Sequence, residues 1–350
     1  MTLSAKWQRA IHAPNAEYLK AASARQTQLT KPAGSLGKLE QTAIDLAAQQ
    51  AREKPAVDKV HIAVFAADHG VCAEGISAFP QAVTGQMIAN FVQGGAAISV
   101  MAKHLGAHLD VINMGTATPP PIDAGVIDEH IAAGTKNFMH EPAMTEAECV
   151  AALNAGDRAA ERALQQQADL FIGGEMGIGN TTSASAIACA LLNERGIALA
   201  GPGTGLTSDG VAHKANVIDQ ALARHGNQHA PLTVLASLGG FEIAALTGAI
   251  IGCAARGIPV LVDGFIVSVA TLVATSLRPE VGDWLHFAHH SEEPGHTRVL
   301  QALNARPLLN LGMRLGEGSG AAVAVPLLRN ACALHNNMAT FADAGVSDAS

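Results

Sequence analysis

The sequence predicts an α/β protein: an open, parallel sheet with helices on both faces, plus a small helical unit drawn from both ends of the chain. Three observations carry this expectation. Short apolar runs without polar alternation recur through the middle of the chain, each stopping at Gly or a polar residue, the pattern of strands buried on both faces. Helical periodicity lies between them. The 350 residues are 49% hydrophobic but only 3% aromatic, with 35 glycines, so Ala, Val, Ile and Leu must fill the interior and glycines let backbones approach closely.

Taken in order, the strands expected are Val60 to Ala66, Leu109 to Met114, Asp169 to Gly173 and Val260 to Val262. Leu285 to Ala288 gives a weaker fifth signal, and Thr233 to Leu238 reads as a strand or a helix end. Thr145 opens a helix, because Thr-x-x-Glu148 makes a capping box ahead of Val150, Leu153 and Leu164. Phe241 to Arg256 is a second helix, closed by Gly257 and Pro259. A closed barrel is disfavoured by the small number of strands. Before Val60 and after about Arg298 the periodicity is helical, with Leu36, Leu39, Ala43, Leu46 and Ala47 on one face. The expected division is therefore a large unit over 56–300 and a discontinuous helical unit from 1–55 and 301–350, the acidic tail Asp343 to Ser350 being frayed.

Charge and cysteine usage exclude several classes. Net charge is −8 and the pI about 6.0, with Lys and Arg scattered singly, so there is no basic stripe for a nucleic-acid backbone. The five cysteines, Cys72, Cys149, Cys189, Cys253 and Cys332, are odd in number and far apart, which indicates neither a disulfide framework nor a zinc knuckle. The apolar stretches Ile243 to Ala255 and Gly264 to Leu277 stop short of a membrane span, and the first residues carry no signal-like apolar block. A soluble, cytoplasmic protein is expected.

Ligands of open α/β sheets bind beyond the carboxyl ends of the strands, so the segments after each strand are where chemistry is sought. They read AADHGV with Asp68 and His69, NMGTATPPP, GGEMGIGNTTSAS, DGF with Asp263, and HHSEEPGH. Gly173 to Thr182 leads a glycine-rich turn into an Ala/Ser helix, which presents backbone N–H groups to an anion such as a monophosphate, or is simply a tight strand-to-helix turn. A second glycine cluster, Gly201 to Gly205 in GPGTGL, allows the same two readings. Glu175 in GGEMG and Glu317 in LGEGSG are carboxylates flanked by glycines, suited to general base work or to a helix start. Asp263 serves the site or caps its own turn. The fifteen histidines show no zinc spacing, and no G-x-S-x-G elbow supplies a hydrolase nucleophile for Asp68-His69, which are read as positioning groups.

As a set, KPAGSLGKLE, DHGV, FPQAVTGQM, GGEMGIGNTT, LGGFEIAALTG, PVLVDGF and MRLGEGSGAA, in this order over residues 31 to about 338, resemble the nicotinate-nucleotide:dimethylbenzimidazole phosphoribosyltransferases. The resemblance implies transfer of ribose 5-phosphate from nicotinate mononucleotide to a benzimidazole, giving α-ribazole 5′-phosphate and nicotinate for the lower nucleotide of cobalamin, with inversion at C1′. It implies a Rossmann-like large domain and a homodimer whose active site is shared; the residues themselves, without a metal-ligand constellation, imply no metal or other cofactor. By matching motifs it makes Glu317 the general base and Glu175 a second active-site carboxylate. Gly177, Ile178, Gly179, Asn180, Thr181 and Thr182, with Gly203, Lys214, Asp263 and Ser291, become the phosphate and ribose neighbourhood. Phe79, Met87 and Met176 become the base pocket, with Leu315 beside them.

Overall fold

The computed structural model describes residues 7, 9–120, 125–226 and 229–347. Six strands, β1 (Val60–Ala67), β2 (His108–Gly115), β3 (Val126–Asp128), β4 (Leu170–Met176), β5 (Val260–Val262) and β6 (Leu285–Phe287), form one sheet in the order β3-β2-β1-β4-β5-β6. Every pairing is parallel. The helices are α1 (Ala16–Gln28), α2 (Lys38–Gln50), α3 (Ala82–Gln93), α4 (Ala97–Leu105), α5 (Glu146–Gln165), α6 (Asn180–Leu192) and α7 (Gly196–Leu199). They continue as α8 (Ser208–His225), α9 (Pro231–Leu238), α10 (Phe241–Ala254), α11 (Phe265–Leu277), α12 (Pro294–Ala302), α13 (Ser319–Asn337) and α14 (Phe341–Ala344).

The central strand β1 is buried along its whole length because helices cover both faces, and its side chains divide by the period of two. Ala63, Phe65 and Ala67 join one apolar cluster with α5, α6, α10 and α11, while Ile62, Val64 and Ala66 join the other with Leu46, Ile98, Val325 and Leu328. A fully buried side chain of this size contributes about 1.5–3 kcal/mol relative to exposure. Small residues carry the helix packing: a β-carbon on Gly156 of α5 would lie 1.8 Å from the Ala245 carbonyl oxygen of α10. At α5 the expected capping box is formed, Glu148 N–H donating to Thr145 Oγ1 and Thr145 N–H to Glu148 Oε2.

One open reading is resolved and three local expectations are corrected. Thr233 to Leu238 lies in α9, where Pro231 at the first turn supplies a preset helical φ. β4 continues past Gly173 through Gly174, Glu175 and Met176, because these residues still pair with Val64, Phe65 and Ala66 of β1. The edge strand β3 was not expected; it is only three residues long and half-exposed, too short to show a period. Asp343 is not frayed but closes a capping box with Thr340 at α14, whereas residues 348–350 of that tail, Pro121 of the proline run, and residues 1–6 and 8 of the opening segment lie outside the described residues.

The two ends of the chain meet. Arg25 Nε of α1 donates to the His335 carbonyl of α13 at 2.7 Å, and Leu29 bridges to Thr340. α13 also lies on the sheet, with Ala321, Val325 and Leu328 in the same apolar cluster as Ile62 and Ile172.

Candidate active site

The strand order reverses between β1 and β4, since β1 connects toward β2 and β4 toward β5, and the loops beyond their carboxyl ends diverge to leave a crevice. A cleft of about 370 Å³ occupies that place. Its wall contains Phe79, Met87, Glu175, Met176, Gly177, Ile178, Asn180, Thr181, Gly203, Asp263, Ser291, Leu315 and Glu317, brought together from six separate stretches of sequence.

Glu317 stands on the loop before α13 with φ 64, between Gly316 at φ 88 and Gly318 at φ 84. A non-glycine residue in this left-handed region carries strain of roughly 1–2 kcal/mol, held only by its surroundings. The surroundings here are Gly174 of β4, where a β-carbon would come within 2.3 Å of the Glu317 carbonyl oxygen. Glu317 is buried and its Oε2 has no hydrogen-bond partner. Burial, with the Asp263 charge in support, pushes its carboxyl above the ordinary carboxylate range, the Ile98 N–H working against it.

Glu175 points up from the end of β4 and accepts a hydrogen bond from Asn180 Nδ2. Burial first, then the nearby charges of Glu242 and Asp263, hold its carboxyl well above the usual range. Asp263 Oδ1 accepts the Ala321 N–H of α13 at 2.8 Å, and His289 Nε2 lies 3.6 Å away. Asp263 therefore caps the N-terminus of α13, a different element from its own turn, and so holds the Glu317 loop against β5. Burial raises its carboxyl despite the His289 charge and the N–H groups of Ala321, Gly264 and Gly318.

On the opposite side Lys214 of α8 is buried, with Nζ 3.1 Å from Thr181 Oγ1 and 3.0 Å from the Gly201 carbonyl oxygen. Burial pushes its ammonium down to about 8, with Glu293 opposing. Lys214 stands behind Thr181, off the cleft surface. Gly179 and Thr182 are also absent from the wall: Gly179 packs on Cys72, and Thr182 is fully buried in α6. The turn offers fewer free N–H groups than its glycines suggest, because Ile178 N–H donates to Thr84 Oγ1 at 3.2 Å and Asn180 N–H to the Gly177 carbonyl at 3.1 Å.

Comparison with known proteins agrees in sequence and in structure. The phosphoribosyltransferase family profile matches residues 11–346. The nicotinate-nucleotide–dimethylbenzimidazole phosphoribosyltransferase of Ectopseudomonas mendocina is 63% identical over 93% of this chain and 93% of its own, and that of a Pseudomonas aeruginosa strain is 59% identical over 98% of each. The crystal structure of the enzyme of that name from Thermus thermophilus superposes with TM-score 0.90 at 43% identity, covering 96% of this chain and 100% of that one. The chain belongs to the nicotinate-nucleotide–dimethylbenzimidazole phosphoribosyltransferase family.

Within this family fold, sequence reasoning singled out neither Glu293, Arg314 and His289 nor the start of α11, Phe265 to Val267, all of which line the cleft. The strings HHSEEPGH, MRLGEGSGAA and DGF contain His289, Glu293, Arg314 and Phe265, but nothing local marks Glu293 above its neighbours. Glu293 is buried against Gly201, its carboxyl raised by burial and opposed by Lys214, and Arg314 Nη1 donates to the Gly203 carbonyl at 3.1 Å. The first-turn N–H groups of α11 have no helical acceptor, and Phe265, Ile266 and Val267 line the cleft with Ser291. Among the described residues, His61, His108 and Asp110 are grouped at metal-ligating distance, but they sit at the opposite, amino ends of β1 and β2, where Arg162 Nε already donates to Asp110 at 2.7 Å. No helix among the described residues is long and apolar enough to cross a membrane.

Proposed function

We infer that this cleft transfers the 5-phosphoribosyl group of nicotinate mononucleotide to 5,6-dimethylbenzimidazole or a related base, releasing α-ribazole 5′-phosphate and nicotinate. Family membership supports the reaction, and one observation carries the assignment of roles: the strained, buried Glu317 held at the cleft wall facing the Glu175 side. Strain of this kind persists where the surrounding structure over-determines it.

In the proposed mechanism one benzimidazole nitrogen attacks C1′ from the face opposite the pyridinium. The C1′–N bond breaks, its electron pair returns to the nicotinate ring nitrogen, and the configuration inverts. The proton on the other benzimidazole nitrogen passes to the ionised Glu317 carboxylate, whose raised pKa lies nearer neutrality, where proton transfer is effective. Burial and the charges of Glu242 and Asp263 favour the neutral form of Glu175, which suits it to a proposed role as a protonated hydrogen-bond donor at the same site. The leaving group already bears positive charge, so the departing electron pair needs no Lewis acid.

The turn Gly177 to Thr182, with Lys214, Gly203, Asp263 and Ser291, is the proposed phosphate and ribose side. Met87 and Met176, half-buried, and Phe79, 49% exposed, form the proposed base side with Leu315. The soft sulfurs and flat ring suit an aromatic guest. Phe79 and Leu315 line the cleft yet leave much of their apolar surface exposed, which supports a homodimer covering it. The contacts between α1 and α13 support one discontinuous helical unit from 1–55 and 301–350 beside the 56–300 unit. Five cysteines without a disulfide among them fit a cytoplasmic setting.

Mass-spectrometric product analysis with nicotinate mononucleotide and a panel of benzimidazoles, purines and phenols, in excess EDTA, tests the reaction. α-Ribazole 5′-phosphate or its analogue is expected; no product, or product only after magnesium is restored, contradicts the reading. Sedimentation on the same preparation should show a dimer that loses specific activity on dilution, and a fully active monomer overturns the shared site.

A further inference from the structure

The DHGV segment is outside the mechanism above, yet its histidine is among the most buried polar groups of the fold. His69, fully buried, donates from Nε2 to Glu242 Oε1 at 2.7 Å, and its Nδ1 lies 2.9 Å from Ser183 Oγ of α6. Glu242, on the first turn of α10, is also fully buried, and its Oε2 has no partner. The turn lies directly against this pair. A β-carbon at Gly177 would sit 3.3 Å from His69 Nε2 and 3.4 Å from Glu242 Oε1, and one at Gly179 would sit 3.3 Å from His69 Cβ. On the far side Gly240 leaves room for the ring, since a β-carbon there would come within 2.2 Å of His69 Cε1. The neighbouring Asp68 works the same way: it accepts the Thr84 hydroxyl at 2.7 Å, and that hydroxyl accepts the Ile178 N–H.

We propose that the His69–Glu242 pair, wedged between α6, α10 and the Gly177–Thr182 turn, is a positioning device that sets how tightly the enzyme holds the phosphate of its nucleotide. This rests on the turn being the phosphate's place. Neither residue reaches the cleft wall; both act through the backbone of Gly177 and Gly179 and through Ser183 at the start of α6. A buried hydrogen-bonded pair of this kind fixes one geometry, because separating the partners leaves a polar group unsatisfied in the interior.

Steady-state kinetics on the intact enzyme tests it, with nicotinate mononucleotide and nicotinate riboside, which lacks the phosphate, as alternative donors. Glu242→Ala is expected to raise KM for the mononucleotide about tenfold while KM for the riboside is unchanged, any change in kcat through the neighbouring Glu175 carboxyl being shared equally by the two donors. Glu242→Gln, whose side-chain oxygen still accepts from His69, should restore KM to within about threefold of the parent. Equal losses on both donors, a fall in kcat with KM unmoved, or no rescue by Gln overturns the proposal. Should Glu242→Ala fail to fold, Ser183→Ala removes the other partner of His69 and is read in the same way. Thr181→Val separates the two layers of argument: if it raises the mononucleotide KM while Glu242→Ala does not, the phosphate reading stands and the positioning role falls. If neither variant moves KM, the turn is not the phosphate's place and both fall.

Discussion

The carbonyl oxygen of Glu317 and the α-carbon of Gly174 are so close that any β-carbon at 174 would come within 2.3 Å of that oxygen. One residue belongs to the central sheet and the other to the loop that opens α13. Their contact fixes the height of the proposed base above the end of β4, and it makes the first prediction.

Gly174→Ala should disturb the Glu317 loop before it disturbs the sheet. Relieving a backbone clash of this size costs about 1–3 kcal/mol, and kcat should fall much more than stability alone explains. Denaturant unfolding together with kcat on the folded fraction checks this. Unchanged kcat would mean that the loop moves freely and that the contact does not place Glu317.

Glu317→Gln keeps size and hydrogen bonding but removes basicity, so kcat should fall by roughly 10²- to 10⁴-fold with KM for nicotinate mononucleotide little changed. Glu175→Gln must be measured beside it. Because Glu175 is proposed to act protonated, its amide keeps a donor and should cost less. The opposite ranking reverses the two roles, and two near-normal variants refute the mechanism.

Glu317→Gly should separate activity from stability. Glycine adopts φ 64 without strain and removes a buried carboxyl whose Oε2 lacks a partner, so the variant is expected to be inactive yet more stable by about 1 kcal/mol. A loss of stability on urea titration would show that the left-handed conformation carries no net strain.

The Lys214 ammonium is pushed down from 10.5 to about 8, so nucleotide binding should weaken as pH rises through about 8, where the cation that orients Thr181 is lost. KM for nicotinate mononucleotide is expected to rise above that pH, and Lys214→Met should abolish the dependence. The stability linkage has the opposite direction. Between about 8 and 10.5 the unfolded chain holds the proton that the folded one has released, so this group's contribution to stability grows with pH across that window. A flat KM profile from pH 7 to 9.5 contradicts the assignment.

Base choice should respond to Phe79 and Met87. Phe79→Ser and Met87→Gln exchange apolar wall for hydrogen-bonding groups, which should lower kcat/KM for dimethylbenzimidazole relative to purines by about tenfold or more. An unchanged ranking across the panel would show that the base lies elsewhere in the cleft.

Periodicity and punctuation in the sequence were sufficient for the strands β1, β2, β4, β5 and β6, the capped start of α5, and the open parallel sheet, because each depends on neighbours within a few residues. The glycine-flanked Glu175 and Glu317 were legible for the same reason, since glycine on both sides of a carboxylate is a local signal. Tertiary structure alone decided the rest. β3 exists only because β2 offers it an edge, and the packing of Thr233 to Leu238 against α6 and α11 settled between the strand and helix readings that the sequence leaves open. The turn's Ile178 N–H is taken by Thr84, a residue of α3, so its donors could not be counted from the turn itself. Glu293, Arg314 and the first turn of α11 arrive at the cleft from loops with no local mark. Lys214 was placed behind Thr181 by the burial of α8. Long-range contacts set burial, and burial sets which carboxyls and which ammonium titrate away from their ordinary values. That is why the residue types of the site could be read along the chain, while their protonation and their places on the wall required the fold.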